Sequence, residues 1–263
     1  MNESIFQVDA FTNQPFSGNP AGVVLLNEGQ SEDWMLSVAR EMNLSETAYL
    51  IGEKTSYNLR WFTPATEVDL CGHATLSAAH ILFENEIVEK SELIEFATRS
   101  GVLTTSYIDG WIEMDFPSFT AEKAALGDAV IQALRCEPVE IYNSGENIMA
   151  VFSDPADIYH LSPDFNLMKQ LDAQGVIATS LSDVAEFDFI SRYFAPRVGI
   201  DEDPVTGSAH CNLGPYWGKI LNKKILRAKQ VSNRGGELQI RMENGRTFIR
   251  GKAVTVFSGK IHI

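Results

Sequence analysis

Apolar and polar residues alternate with two different periods along the first half of the chain. Residues 5–11 (IFQVDAF) alternate at every second position, and residues 21–26 (AGVVLL) form a short apolar run, so both segments are predicted to be strands. In residues 31–43 (SEDWMLSVAREMN) the apolar residues after Ser31 recur with helical spacing, and the hydroxyl of Ser31 is a suitable N-cap. This third segment is therefore predicted to be a helix.

The remainder of the first half adds strands, one helix and hairpins. Two strands are predicted at ETAYLI and YNLRWFT, and a helix is predicted to begin near Gly72 and to end near Phe83. The segment LIEFATRSGVLTTSYIDGWIEMDF is typical of hairpins, with turns near residues 100–101 and 109–110.

The second half repeats this order of elements. Residues 139–152 are predicted to be rich in strand, residues 162–175 to form a helix that stops at Gly175, and VIATSL and FDFISRYF to form strands. A helix of small residues is predicted to start near Gly207, and the chain after residue 230 is predicted to form hairpin strands with a turn at Asn244 and Gly245.

Short motifs also recur between the halves. RWFTP at residues 60–64 matches RYFAP at residues 192–196, and each copy is followed by an acidic loop and a Gly-x-Ala sequence. A Ser-Gly pair precedes the apolar runs VVLL and AVF in the corresponding places. These ordered matches indicate an internal duplication, with one half at residues 1–118 and a second at 119–252.

The charge of the chain limits the kinds of partner that it can have. The 263 residues carry a formal net charge of −14, which disfavours nucleic acid because phosphate binding needs a basic face. The three cysteines are scattered and do not form a disulfide framework, and neither a signal peptide nor a membrane-spanning segment is predicted. We therefore expect a cytoplasmic protein with no membrane partner.

Two strand-to-helix turns carry the first candidate site residues. Gly72 and Gly207 each stand where a helix is predicted to start, and the free backbone N–H groups there favour an anion such as a carboxylate. One such turn alone is more often a packing feature. As a pair in a duplicated protein, the two helix starts could face one cleft and form one site.

The stretch CGHATLSAAH, residues 71–80, admits two other kinds of chemistry. A metal site from Cys71, His73 and His80 has no recognisable zinc spacing and lacks a fourth ligand, so no metal ligand is predicted. Alternatively, Cys71 before Gly72 could be a reactive thiol at a helix start. A symmetric pair of thiols is excluded because the counterpart of Cys71, before Gly207, is Thr206.

Two carboxylates complete the candidates. Glu46 leads directly into an apolar strand, and Asp203 stands just before the second helix start. A carboxylate among apolar neighbours suits general acid–base catalysis. From the residues alone, a solvated surface acid or an N-cap remains the simpler interpretation of either residue.

The order of several motifs resembles that of a known family. FQVDAFTNQPFSGNPAGVV, LSETAYL, LRWFTPATEVDLCGHATLSAA, GIDEDPVTGSAHC and AVTVFSGKI follow one another over nearly the whole chain, and together they resemble the phenazine-biosynthesis PhzF-like family. The resemblance implies an α+β, diaminopimelate-epimerase-like fold. That fold has two pseudo-symmetric halves, each a curved, mostly antiparallel sheet around a central helix, with the active site in the cleft between them. The resemblance further implies that the last strand, at residues 253–263, returns to the first half. Members are often homodimers.

The resemblance also implies a reaction and roles for individual residues. The characterised activity of the family is a cofactor-free isomerisation of trans-2,3-dihydro-3-hydroxyanthranilate. Glu46 matches the glutamate that moves the proton, and His73 and Asp203 match polar groups that orient the substrate and assist proton movement. The substrate carboxylate is expected at the cradle formed by Gly72, His73, Gly207 and Ser208. An epimerase or racemase that uses Glu46 and Asp203, or a non-catalytic binding module for small acids, remains the alternative.

Overall fold

The computed structural model describes residues 2–125 and 127–262. Ile263, the last residue of the predicted final strand, therefore lies outside the described residues, as do Met1 and Leu126. The chain divides into two compact units: unit 1 comprises Met1–Phe116 and Arg250–Ile263, and unit 2 comprises Pro117–Ile249. Within the described ranges, no helix is both long and apolar enough to cross a membrane.

Strands dominate the structure, as the alternating pattern predicts. The strands are β1 (Asn2–Ala10), β2 (Asn19–Leu25), β3 (Glu46–Glu53), β4 (Ser56–Phe62), β5 (Glu67–Val68), β6 (Ile94–Thr98), β7 (Gly101–Ile108), β8 (Trp111–Pro117), β9 (Glu122–Ala124), β10 (Glu140–Ser144), β11 (Asn147–Val151), β12 (Gly175–Leu181), β13 (Phe189–Ala195), β14 (Ile200–Asp203), β15 (Ile225–Gln230), β16 (Gly236–Glu243), β17 (Arg246–Gly251) and β18 (Ala253–His262).

The helices are fewer and mostly short. They are α1 (Glu32–Met42), α2 (Gly72–Glu84), α3 (Asp128–Leu134), α4 (Pro155–His160), α5 (Phe165–Met168) and α6 (His210–Leu221), with a 3₁₀ turn at Pro196–Val198.

The sheet of unit 1 is organised around β1. Strand β1 pairs antiparallel with both β2 and β18, so the last strand of the chain completes the sheet that the first strand begins. The order continues through a parallel β2–β3 pair, an antiparallel β3–β4 pair and a parallel β4–β6 pair to the meander β6–β7–β8. Helix α2 packs against β1, β2, β3 and β18.

Helix α2 is buried on nearly every side, which explains its composition. Its sequence GHATLSAAHILFE contains no charged residue before the last position, and the residues from His73 to Ala79 are all buried. A helix that is apolar all round belongs in a core, and its small residues allow the surrounding strands to approach closely. Gly72 and His73 are therefore held in place by the core of unit 1.

Unit 2 repeats the strand pairing of unit 1. Strands β10 and β11 are antiparallel, β11 and β12 parallel, β12 and β13 antiparallel, β13 and β15 parallel, and β15 and β16 antiparallel. Helix α6 packs against β15 and β16, and most of its first half is buried. The predicted α+β class with two similar halves, each containing a sheet and a central helix, is confirmed.

A pair of arginines shows how closely the two units correspond. Arg60 on β4 makes a bidentate ion pair with Glu67 through Nε (2.7 Å) and Nη2 (2.6 Å). Arg192 on β13 makes the same pair with Glu202 at 2.7 and 2.9 Å. Both guanidinium groups also lie over a phenylalanine ring two residues further along their strand. The repeated RWFTP and RYFAP motifs thus correspond to repeated structure.

One predicted helix was wrong. In place of a helix over residues 162–175, the structure has only the single turn α5, which begins where the Asp164 carboxylate accepts hydrogen bonds from the N–H groups of Asn166 and Leu167. Arg197 donates to the carbonyl of Leu171 (3.0 Å), so this carbonyl is used by a tertiary contact. Gly175 is the first residue of β12, and a Cβ at this position would clash with the hydroxyl group of Tyr193.

Candidate functional site

Glu46 is the first residue of β3 and lies opposite Ala21 of the parallel strand β2. The four residues after it are all buried, and the Glu46 side chain itself is only 14% exposed. The carboxylate is therefore held at the end of a rigid strand beside the core of unit 1. This placement agrees with the predicted carboxylate at the start of an apolar strand and differs from a solvated surface acid.

His73, in the first turn of α2, places its imidazole beside Glu46. The Nε2 atom of His73 lies 3.3 Å from Oε2 of Glu46, although the contact lacks the angles of a hydrogen bond. Burial lowers the pKa of His73 to about 4, so the imidazole is neutral near pH 7. The two residues come from separate elements and are 27 positions apart in sequence.

A neutral imidazole beside a carboxyl group suits proton transfer in both directions. An imidazolium would stabilise the carboxylate and oppose its protonation, whereas a neutral ring adds no fixed positive charge. The neutral ring can still accept or donate a hydrogen bond, depending on its tautomer. The Glu46 and His73 pair can therefore take a proton from a ligand and return it.

Both predicted helix starts lack a side-chain cap. Cys71 is the N-cap of α2 but makes no side-chain cap hydrogen bond, and no acidic residue lies in the first turn. Helix α6 also has neither a side-chain cap nor an acidic residue in its first turn. Among the other helices, α1, α4 and α5 are capped by the side chains of Ser31, Asp154 and Asp164, whereas α3 lacks a side-chain cap but has Asp128 in its first turn. The two uncapped starts can receive an anion from outside the chain.

The second start differs from its prediction in detail. Helix α6 begins at His210, three residues after Gly207, and residues 207–209 form a turn. The N–H groups of His210 and Cys211 bond to the carbonyls of Gly207 (3.0 Å) and Ser208 (3.1 Å), which is 3₁₀ geometry. Gly207 is buried, whereas Ser208 is exposed at the tip of this turn.

Asp203 ends β14 and belongs to a network of buried polar groups in unit 2. The hydroxyl of Thr206 donates to Oδ2 of Asp203, and Gln230 Nε2 donates to the Asp203 backbone carbonyl at 2.7 Å. Gln230 also accepts the Thr206 backbone N–H through Oε1 at 2.9 Å. Since Ala209 and not Asp203 is the N-cap of α6, Asp203 is not the cap that the simpler interpretation expected.

Sequence reasoning missed two residues of this network. Gln230 lies at the end of β15, is completely buried, and uses both ends of its amide to hold the segment before α6. His210 is also completely buried: its Nδ1 donates to the carbonyl of Thr206 at 2.8 Å, and its ring stacks on Phe189. Burial lowers the pKa of His210 to about 4. For His210, a polar residue in the largely apolar first half of α6 was the available signal, whereas Gln230 shares its strand with Arg227 and Lys229 and gave none.

Of the three histidine and cysteine residues in CGHATLSAAH, Cys71 and His73 are neighbours in the structure and His80 lies elsewhere. His80 contacts other residues: its Nε2 lies 3.2 Å from the hydroxyl of Thr255 and 3.4 Å from the carboxylate of Glu84. Cys71 stays with His73, its Sγ lying 3.5 Å from Nδ1. The His, Cys and acidic groups that converge here are Glu46, Cys71 and His73, which have ligand atoms within 4.8 Å of one another.

The six predicted site residues thus form two local groups. Glu46, Gly72 and His73 lie together in unit 1, and Asp203, Gly207 and Ser208 lie in unit 2. Unit 2 also contains a cavity of about 610 Å³ between α6 and strands β15–β17. None of the six lines it, and two of its cations, Lys223 and Arg241, pair with Asp188 and Glu243.

Comparisons with known proteins place the chain in a family. Residues 8–259 match the family model described as phenazine biosynthesis-like protein. An uncharacterized isomerase of Halalkalibacterium halodurans is 47% identical over 262 residues, covering 99% of each chain. A PhzF-family phenazine biosynthesis protein from Enterococcus faecalis, known from its crystal structure, is 41% identical in sequence to this chain. The structural alignment covers 100% of both chains, with a TM-score of 0.96.

A more distant neighbour shows the wider fold. A probable proline racemase from Agrobacterium radiobacter has a TM-score of 0.69 with 11% identity, covering 99% of this chain and 93% of the other. The predicted diaminopimelate-epimerase-like fold and isomerase class are confirmed. The chain belongs to the phenazine-biosynthesis PhzF-like family of isomerases.

Proposed function

We propose that this chain is a cofactor-independent isomerase that moves a proton on a small cyclic or unsaturated carboxylate, as in the isomerisation of trans-2,3-dihydro-3-hydroxyanthranilate. One observation carries the proposal: the Glu46 carboxylate lies 3.3 Å from the neutral imidazole of His73 in a largely buried position. Two separate elements hold these groups, so the pair is organised before a ligand binds.

Glu46 acts first as the base and then as the acid. Its carboxylate takes the proton from C3 of the substrate, and the electron pair of the broken C–H bond moves into the conjugated system. The resulting carboxylic acid returns the proton to another carbon of that system, which gives an enol that tautomerises to a ketone. The atoms and electrons balance within the substrate and Glu46, so the step needs no oxidant or reductant.

His73 and Asp203 assist this transfer. The neutral His73 ring faces Glu46 and orients it, and it presents a hydrogen-bonding group to the substrate. Asp203 is fixed by the hydroxyl of Thr206 and by Gln230, so its position is defined before binding. We assign to Asp203 the orientation of the substrate and the support of proton movement.

The substrate carboxylate binds at backbone N–H groups in this proposal. The uncapped start of α2 at Gly72 and the turn at Gly207 and Ser208 before α6 favour a negative charge through their N–H groups and helix dipoles. Ser208 adds an exposed hydroxyl as a further donor. These features support an anionic ligand and do not select one particular ring.

The main alternative is an epimerase that uses Glu46 and Asp203 as two bases. The strand register disfavours a symmetric version of that mechanism. Tyr49 pairs with Arg60 in unit 1, and Ala178 pairs with Arg192 at the equivalent place in unit 2. Glu46 lies three residues before Tyr49, and the residue three before Ala178 is Gly175, so Gly175 is the counterpart of Glu46. A second base would have to be Asp203, which already accepts a hydrogen bond from Thr206.

Proton NMR in deuterated buffer separates the candidate functions. With trans-2,3-dihydro-3-hydroxyanthranilate, the proposed isomerase loses the C3 proton signal and forms a product that carries deuterium at a different carbon. An epimerase exchanges deuterium without moving a double bond, and a binding module exchanges none. Glu46→Gln should abolish the exchange, whereas Glu53→Gln, at the exposed end of the same strand, should leave it unchanged.

An active Glu46→Gln variant would remove Glu46 from the proton transfer. If the wild-type protein leaves this substrate unchanged, the same assay is repeated with other small unsaturated carboxylates, and deuterium incorporation identifies a substrate. We also propose a homodimer in the cytoplasm, and light scattering coupled to size-exclusion chromatography tests the dimer.

A further inference from the structure

Three different metal-binding groups converge at one place in unit 1. Glu46 supplies a carboxylate from the start of β3, Cys71 a thiol from the N-cap of α2, and His73 an imidazole from the first turn of α2. One ligand atom from each lies within 4.8 Å of the other two. In the sequence only Cys71 and His73 are neighbours, and the strand that carries Glu46 brings the third group.

The separations suit one small cation. Zinc binds cysteine sulfur at about 2.3 Å and histidine nitrogen or carboxylate oxygen at about 2.0–2.2 Å, so ligand atoms in a tetrahedral site are about 3.5 Å apart. The Cys71 to His73 distance is 3.5 Å and the His73 to Glu46 distance is 3.3 Å. The Cys71 sulfur faces Nδ1 of His73, whereas the Glu46 carboxylate faces Nε2. Because an ion binds only one of these nitrogens, a small side-chain rotation is needed to bring all three ligand atoms to the same ion.

A second feature of the site is independent of these distances. The Nε2 atom of His73 is fully buried and has no hydrogen-bond partner among the residues that the structure describes. A buried polar atom without a partner costs free energy, and binding a cation is one way to satisfy it.

We propose that Glu46, Cys71 and His73 form a reversible binding site for Zn²⁺ or a chemically similar divalent ion, with water as the fourth ligand. The combination of thiolate, imidazole and carboxylate suits zinc better than magnesium or calcium, which prefer oxygen ligands.

The expected consequence is inhibition, and this part rests on the proposed function. A bound ion would hold the Glu46 carboxylate in its deprotonated form and would occupy the space into which the substrate proton must move. The ion is thus an inhibitor of the proposed reaction and has no place in it as a cofactor. Zinc binding itself does not depend on the identity of the substrate.

Equilibrium dialysis of the metal-free protein against ZnCl₂ at pH 7.5 tests the site without any activity assay. We expect one zinc per chain. Cys71→Ser and His73→Gln should each weaken binding by about 10-fold or more, since losing a ligand costs at least as much as losing a residue that only orients a ligand. Cys136→Ser and His80→Gln are matched controls and should bind like wild type, because neither residue belongs to the group.

Cobalt provides a direct view of the ligands. Co²⁺ bound at this site should give a sulfur-to-cobalt charge-transfer band that disappears in Cys71→Ser and persists in Cys136→Ser. Absence of bound metal, or equal binding by wild type and Cys71→Ser, would overturn the proposal. An active isomerase that zinc does not bind would overturn this site alone, whereas zinc binding to a protein without isomerase activity would leave the site standing and remove the proposed function.

Discussion

His73 Nε2 lies 3.3 Å from Glu46 Oε2, and burial keeps the imidazole of His73 neutral near pH 7. The contact joins the first residue of β3 to the first turn of α2, so both groups are held by the core of unit 1. A carboxyl group beside a neutral ring can gain and lose a proton without the opposition of a nearby cation. This relationship lets Glu46 act first as the base and then as the acid in the proposed reaction.

Cys71→Ala should remain folded and active. In the proposed mechanism the proton moves through Glu46, and Cys71 contacts His73 without taking part in the transfer. Steady-state kinetics should therefore show nearly the wild-type kcat and KM, while circular dichroism confirms the fold. A folded but inactive Cys71→Ala protein would favour the thiol mechanism over the carboxylate mechanism.

Ser208→Ala should weaken the binding of a carboxylate ligand with little effect on stability. Ser208 is exposed at the turn before α6, and a lost hydrogen bond to a charged group costs about 1–2 kcal/mol. Calorimetric titration with a substrate or product should show a Kd raised about 5–30-fold. Ser162→Ala, at another exposed serine of unit 2, is the control, and equal affinity of the two variants would exclude Ser208 from the binding site.

Gln230→Leu should lower both stability and activity. The substitution leaves the Thr206 N–H and the Asp203 carbonyl without their partner, and each unsatisfied buried group costs about 1–3 kcal/mol. Urea unfolding measures the loss of stability, and kinetics at a temperature where the variant is folded measures the effect of a displaced Asp203. Gln170→Leu, at an exposed glutamine, should change neither quantity.

Gln230→Glu refines this test. The carboxylate can still accept the Thr206 N–H but can no longer donate to the carbonyl of Asp203. If Gln230 positions Asp203, this variant should have a lower kcat and a shifted pH profile even when it is fully folded. Wild-type kcat and pH profile in folded Gln230→Glu would mean that the position of Asp203 does not depend on this hydrogen bond.

The free energy of unfolding should fall as the pH decreases from 6.5 toward 4. His73 and His210 have a pKa of about 4 in the folded protein, compared with about 6.5 when unfolded. In this window the unfolded chain binds more protons than the folded chain, so stability is present above pH 6.5 and is lost as the pH falls. Between pH 7.5 and 4.5 each histidine should contribute about 2.5 kcal/mol of this loss.

Urea unfolding of wild type and His73→Gln at these two pH values checks the expectation. The variant should lose less stability than wild type over the interval, because glutamine does not titrate. An identical pH dependence for the two proteins would mean that His73 titrates normally in the folded state.

Local sequence patterns were sufficient for most elements and for the repeat. Helix α1 lies between Ser31 as N-cap and Asn43 as C-cap, and the turn at Asn244 and Gly245 joins β16 to β17, as predicted. The glycines of the two Ser-Gly pairs, Gly18 and Gly145, both have a left-handed backbone conformation, with φ of 68° and 64°. These features depend on neighbouring residues, so one sequence can reveal them.

The elements that were predicted wrongly or missed have two physical causes. The predicted helix at residues 162–175 has suitable local propensity, but tertiary hydrogen bonds and the close approach of Tyr193 to Gly175 determine the backbone there. Short elements such as α3, α4 and β5 were not predicted, because their few residues carry too weak a periodic signal.

The sequence by itself determined the fold class, the duplication and the family, because periodicity and motif order are properties of the chain. It also drew attention to Glu46, His73 and Asp203, but their roles came only from the resemblance, since isolated acids and histidines are common on surfaces. The tertiary structure decided which side chains meet: Glu46 with His73 and Cys71, and Asp203 with Thr206 and Gln230. The contacts of Glu46 with His73 and of Asp203 with Gln230 each join residues 27 positions apart. Strand pairing and helix packing between distant segments produce these contacts, and local sequence does not encode them.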